Sequence, residues 1–278
     1  MEHLRKSFCV SERRACRIVD QPRSSQRHAS EKVTKDAALS QRMVSISREN
    51  PRYGYRRVWA LLRREGWKVN KKRVQRIWRE ADLKVPAKER KRRRLGRSEN
   101  SSSRRRAEYV NHVWSYDFTM DSTDDSRRVK VMPVVDEYSR ECLALEVERS
   151  ITSEEVVATV ERLFIERGAP EYIRSDNGPE FIAEALKHWL AVCGVETLYI
   201  EPGSPWENAY SETFISRLRD ELLNREEFAN LKEAQVLAGD YREHYNQSRP
   251  HGALGYLTPA EFAAREAKQL ESIQRLSS

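Results

Sequence analysis

Residues 84–106 carry 11 Lys and Arg against two acids, in the blocks KERKRRRLGR and ENSSSRRR, with almost nothing apolar. Like charges at that density repel one another and leave no surface to bury, so this stretch cannot join a core. The chain must fold on either side of it, and the two sides differ electrostatically. Residues 1–106 hold 33 Lys+Arg against 11 Asp+Glu, a net charge of +22; the remainder holds 18 against 32, a net of −14. A half so basic implies a polyanionic partner, and nucleic acid fits best. The acidic half can approach such a partner only with cations of its own, either metal ions or locally placed arginines. At 278 residues there is length for two domains. No apolar run reaches the roughly 18 residues of a membrane span. The start MEHLRKSFCVSERR lacks a signal-peptide core, so a cytoplasmic protein with no membrane partner is expected. Cys9, Cys16, Cys142 and Cys193 show no C-x-x-C or paired-His spacing, which argues against zinc and against a disulfide framework.

The basic half reads as short helices. Ser11 can cap one through Ala15, Cys16, Ile18 and Val19, and Ser30 another carrying Val33, Leu39, Met43 and Ile46. From Tyr55, the residues Val58, Leu61 and Leu62 form one helical face, Gly66 breaks it, and Asn70 can cap a second helix that buries Val74, Ile77 and Trp78. Two short helices on a Gly-containing turn fit a helix-turn-helix whose second helix faces DNA. Candidate DNA contacts on the outer faces are Arg56, Arg57, Lys71, Lys72, Arg73 and Arg76, joined by Arg92, Arg93 and Arg94 of the linker. The expected divisions are an N-terminal helical region at 1–50, a helix-turn-helix at 51–83, the basic linker at 84–106, an α/β domain at 107–230 and a helical or irregular extension at 231–278.

The α/β domain follows from the order of patterns. HVWSYDFTMDS, VKVMPVVDEYS and ECLALEVE read as three strands of an antiparallel meander. A helix capped at Thr152 or Ser153 then runs to Gly168, and EYIRSD is a fourth strand. Phe181, Leu186, Trp189 and Leu190 mark a helix, VETLYI is a fifth strand, and a last helix opens at Ser204, Pro205 and Glu207. The expectation is a mixed five-stranded sheet with flanking helices. Asp117 on the first strand, Asp176 where the fourth strand meets the turn Asn177-Gly178-Pro179, and Glu212 on the last helix can converge at one end of such a sheet. Carboxylate oxygens are hard ligands suited to Mg²⁺, and two ions about 3.5–4 Å apart serve in-line displacement at phosphorus. Asn208, Ser216 and Arg219 share the helix face of Glu212. Asp121 shares the strand face of Asp117, but its neighbours lack the WSYDF context that favours Asp117. Trp206 at the helix start could stack on a splayed base. Tyr245, Arg249 and His251 do not make a tyrosine-recombinase pattern, and the segment that holds Arg249 and His251 reads only as irregular chain after a helix.

Asp117, Asp176 and Glu212, with 35 residues between the last two, resemble the D,D-35-E triad of ribonuclease H-like transposases and retroviral integrases. SDNGPEF, PGSPWENAYSE, Arg219 and YNQSRPHGALGYLTPAEF resemble more closely the second-reading-frame product of bacterial insertion sequences of the family numbered three. The resemblance covers nearly the whole chain. It implies a ribonuclease H-like catalytic core preceded by a basic all-α helix-turn-helix region. The triad would hold two Mg²⁺ ions, with Mn²⁺ as substitute, for cleavage of the element's ends and strand transfer by a 3′-hydroxyl. Arg219 would contact phosphate and Asn208 would lie on the DNA side of its helix. Implied partners are double-stranded DNA, both the terminal inverted repeats and the target, further copies of the chain assembled on it, and an upstream-frame product or fusion. The implied location is the bacterial cytoplasm, at the nucleoid. The alternative is a DNA-binding repressor or transposition inhibitor that retains the catalytic fold without acting as an enzyme on its own.

Overall fold

The computed structural model describes residues 7–27, 32–85, 105–175, 184–199 and 208–277. Ser30, Arg92, Arg93, Arg94, Asp176, Asn177, Gly178, Pro179, Phe181 and residues 204–207 lie outside them. The chain forms two compact units, Met1–Leu62 with Gly66–Val85, and Arg63–Glu65 with Pro86–Ser278. Among the described residues no helix is long and apolar enough to cross a membrane.

The first unit is helical: α1 (Glu12–Ile18), α2 (Arg23–Arg27), α3 (Lys32–Glu49), α4 (Tyr55–Arg64) and α5 (Lys71–Glu80). Its boundaries follow local chemistry. The Ser11 hydroxyl accepts from Arg14 N, and Asn70 Oδ1 accepts from Arg73 N at 2.8 Å, each satisfying a donor the helix start leaves open. After α4, Gly66 takes φ +86°, and Trp67 N donates to Leu62 O at 3.0 Å, closing the helix end as the sequence predicts. Leu39, Met43 and Ile46 of α3 are buried with Val58, Leu62, Val74, Ile77 and Trp78 of α4 and α5. One core therefore runs across residue 50.

The second unit is a mixed sheet between two helical layers. Its strands are β1 (Val113–Tyr116), β2 (Thr119–Ser122), β3 (Arg128–Asp136), β4 (Cys142–Glu148), β5 (Tyr172–Ser175) and β6 (Glu196–Tyr199). Its helices are α6 (Ser153–Arg167), α7 (Glu184–Val192), α8 (Ala209–Leu218), α9 (Leu231–Gln247) and α10 (Pro259–Ser277). β3 pairs antiparallel with β4 on one side and with β1 and β2 on the other, while β5 runs parallel to both β1 and β6. β1 and β2 meet β3 in one unbroken register, Trp114↔Asp136 to Tyr116↔Val134 and then Thr119↔Val131 to Ser122↔Arg128. They are thus one strand interrupted at Asp117 and Phe118, and the expected five-stranded sheet contains six segments for this reason.

Strand alternation sorts the core. Trp114, Tyr116, Met132, Val134 and Ile173 face α6 and α7, packing on Val156, Val160, Leu163, Leu186 and Leu190. Val129, Val131 and Val135 face the other layer, packing with Phe214 and Leu218 of α8 and with Ala234, Ala238, Tyr241 and Tyr245 of α9. The α9 side chains also shield strand β4: Gln235 Nε2 donates to Val147 O at 3.0 Å and Arg242 Nη1 to Leu143 O at 2.9 Å. The residues beyond 230 are therefore part of this core. α6 begins with a capping box between Thr152 and Glu155 and ends at Gly168, φ +81°, as its sequence implies.

Candidate active site

Asp117 stands at the interruption between β1 and β2, and the interruption has a chemical cause. In the ladder with β3, Glu137 N donates to Val113 O at 2.9 Å and Thr123 N to Arg127 O at 3.0 Å. Every second pair between these two belongs to the same hydrogen-bonded class, and in that series Asp117 faces Pro133. Proline has no N–H to give to the Asp117 carbonyl. The ladder is interrupted at the acid. Phe118 N then donates to Asp117 Oδ1 at 2.7 Å, fixing one carboxylate oxygen.

The second anchor comes from α8. Asn208 is its N-cap residue, yet its side chain makes no capping bond to the helix. Its amide instead donates to Asp117 Oδ2 at 3.3 Å. Asn208 is 3% exposed, with its side chain directed into the protein. Glu212 follows one helical turn later on the same side of α8, about 6 Å along the axis. At the far end Arg219 Nη2 donates to the Thr119 hydroxyl and to Met120 O at 3.1 Å. The helix bearing Glu212 is thereby tied at both ends to the strand bearing Asp117, with Phe214 and Leu218 buried between. Ser115 Oγ, Ser211 Oγ and Asn208 Oδ1 are buried without a hydrogen-bond partner among the described residues. Asp121 lies four residues beyond Asp117 and accepts from Ser122 N at 2.8 Å, bonding its own strand.

The Glu212 carboxyl reaches the surface, but the surrounding protein removes part of its hydration and holds its pKa above the usual carboxylate range. Among the described residues nothing donates a hydrogen bond or ion pair to it, and no group of three His, Cys, Asp or Glu is arranged to hold a metal. Asp117 and Glu212 are hard oxygen donors near one strand end. That donor set fits Mg²⁺, which takes one or two carboxylates and keeps several waters.

In the first unit the predicted cations divide into two groups. Arg73 and Arg76 are not free on an outer face: Arg73 Nε donates to Asp36 Oδ1 at 2.8 Å, and Arg76 Nη2 pairs with Asp36 Oδ2. Hydrogen bonding from Arg76 and then Arg73 holds the Asp36 carboxyl below its ordinary range, against desolvation. Arg57 lies 5.1 Å from the Tyr53 ring centroid, Lys71 4.6 Å from that of Trp59, and Arg56 5.8 Å from that of Tyr55. Lys72 is exposed, as is Arg79 one face-repeat further along α5, and neither has a bonded partner among the described residues. The sequence pattern did not single out Asp36, because its partners lie 37 and 40 residues away.

Comparison with known proteins agrees with this architecture. Residues 107–205 and 193–259 match two families described as Integrase core domain, and residues 34–92 match one described as HTH-like domain. The chain is similar to the uncharacterized 39.2 kDa protein of insertion element IS476 from Xanthomonas euvesicatoria, at 41% identity over 94% of this chain and 74% of that one. It is 39% identical to the uncharacterized 31.7 kDa protein of insertion element IS407 from Burkholderia multivorans, over 95% of each. It is 31% identical to transposase InsD of insertion element IS2 from Escherichia coli, over 84% of this chain and 81% of that one. The sheet with its two helical layers is the ribonuclease H-like fold of integrase cores, and the chain belongs to the insertion-element transposases, polynucleotidyl transferases of the DDE type.

Proposed function

We propose that this transposase cleaves and joins the ends of its own element in a Mg²⁺-dependent reaction, with Asp117, Asp176 and Glu212 as the metal-binding carboxylates. The observation that carries the reading is the Asn208–Asp117 hydrogen bond, which brings the helix of Glu212 against the strand of Asp117. The register of β1 and β5 supports Asp176 as the third member. β5 runs parallel beside β1, with Ser115 paired to Arg174, and Asp176 directly follows Ser175, the last residue of β5, in sequence.

Two Mg²⁺ ions held there, or Mn²⁺ in their place, would activate the attacking 3′-hydroxyl and neutralise charge on the phosphate and the leaving oxygen. The protein's own part is positional. Phe118 N and Asn208 Nδ2 fix the two oxygens of Asp117, and the partly desolvated Glu212 has no cation paired with it among the described residues. Arg219 holds the helix to the strand through Thr119 and Met120 and offers its remaining guanidinium N–H groups to a phosphate. Lys72, Arg79 and the ring-backed Arg56, Arg57 and Lys71 supply phosphate contacts on the duplex, and copies of the chain assemble on paired ends. The test is joining of terminal-repeat duplexes by the full chain, alone and fused to the upstream-frame product, with Mg²⁺, with Mn²⁺ and with neither. Metal-dependent joining is expected in at least one form. End binding without joining in every form would leave a DNA-binding regulator instead.

A further inference from the structure

The C-terminal segment YNQSRPHGALGY is absorbed neither by the carboxylate site nor by the DNA-binding unit, and it contains the most deeply buried arginine among the described residues of the second unit. Arg249 is 2% exposed, so it cannot reach DNA. Its Nε and Nη2 donate to Glu221 Oε2 and Oε1, both at 2.7 Å, in a two-pronged bond. Glu221 lies in the π-helical turn Arg219–Leu223 that continues α8 directly. In that turn Asn224 N reaches back to Arg219 O at 2.9 Å, and the widened coil begins with the residue that ties α8 to β2. Such turns are rare and concentrate where a side chain must be re-aimed.

The neighbours of Arg249 converge on the same helix. Tyr245 packs edge-on against Phe214 of α8, with ring centroids 4.8 Å apart, and His251 packs edge-on against Tyr245 at 4.7 Å. The Arg249 guanidinium lies 5.3 Å from the Tyr245 centroid, and its Nη1 is 3.3 Å from His251 Nε2. Arginine is always a donor, so His251 Nε2 is the acceptor and its proton sits on Nδ1. Asn246 clasps β4 through both backbone atoms of Cys142, each at 2.9 Å. The segment is thus anchored to the sheet by Asn246 and grips the end of α8 through Arg249.

We infer that Arg249 and Glu221 are a positioning pair for the transposase reaction: they hold the π-helical turn so that Arg219 stays on Thr119 and α8 presents Glu212 at the carboxylate site. This rests on the proposed reaction. A buried, fully bonded ion pair is poor evidence for stability alone, because an apolar pair of similar volume often serves as well. That property separates the two roles.

The test uses the full chain as Arg249→Lys, Glu221→Gln and the doubly replaced Glu221→Met with Arg249→Met. Joining of pre-cleaved terminal-repeat DNA is measured across DNA concentration, beside end binding, thermal melting and amide hydrogen exchange. In all three variants kcat should fall about tenfold or more, as sub-ångström displacement of catalytic groups produces, while KM and end binding stay unchanged. The methionine pair should regain the melting temperature lost by the single variants but not their rate, and exchange should quicken in residues 209–223 ahead of the rest of the core. Recovery of rate together with melting temperature in the methionine pair would overturn the inference. If the unaltered chain joins no DNA in any form, the proposed reaction fails, and exchange alone decides the pair: unaltered exchange over 209–223 refutes it.

Discussion

The side-chain amide of Asn208 donates to Oδ2 of Asp117 across 3.3 Å, joining the N-cap residue of the Glu212 helix to the acid at the break in the first strand. An N-cap asparagine ordinarily satisfies its own helix; here it serves the carboxylate. Replacing Asn208 by Ala should remove the hydrogen bond on Asp117 Oδ2 and loosen the helix start against the strand. A lost hydrogen bond to a charged group is worth about 1.5–3 kcal/mol. Joining should therefore slow by roughly ten- to a hundredfold with end binding intact, as single-turnover kinetics and gel shift would show.

Pro133 keeps the ladder open at Asp117. Pro133→Val restores an N–H opposite the Asp117 carbonyl and should make β1 and β2 continuous. One added backbone hydrogen bond contributes about 0.5–1.5 kcal/mol, so melting should rise or hold while joining falls. Faster joining in the valine variant would refute this account of the break.

Asp36 gives a pH signature. Its folded pKa is depressed by Arg76 and Arg73 below the ordinary 3.8. The stabilisation is present above the unfolded value and is lost as pH falls through the folded one. Melting of the full chain from about pH 5 to about pH 2 should show this loss. Asp36→Asn should melt lower at the upper end and converge with the unaltered chain at the lower end.

Lys72 and Arg79 are the exposed cations of α5 without an internal partner among the described residues. Lys72→Ala and Arg79→Ala should each flatten the slope of log affinity against log salt by about 0.9 without lowering the melting temperature. Arg73→Ala should lower it, because Asp36 loses a partner. Equal melting in all three would contradict the division between structural and phosphate-facing cations.

What was legible in the chain was local. Ser11, Asn70 and Thr152 cap the helices they precede, and Gly66 and Gly168 end theirs. The proposal of Asp117 and Glu212 as site residues rests on their sequence contexts and on family likeness. The strand break was not foreseen, because it depends on which residue faces Pro133, and register emerges only when strands pair. The grip of Arg249 on Glu221 spans 28 residues, and that of Arg73 on Asp36 spans 37. Neither leaves a periodic trace, since a charge on a helix looks alike whether its partner is solvent, phosphate or a distant carboxylate. The contact of Asn208 with Asp117 has the same origin: it spans 91 residues, and helix periodicity placed Asn208 beside Glu212 without showing what it touches.

The central claim is that Asp117, Asp176 and Glu212 do the chemistry while the basic unit holds the DNA. Its most direct test is the Mg²⁺-dependent joining rate of the form of the protein that joins terminal-repeat DNA, beside Asp176→Asn and Glu212→Gln, with end binding measured on the same preparations. Joining reduced to background with end binding preserved is the result expected. Undiminished joining in either variant would contradict the assignment.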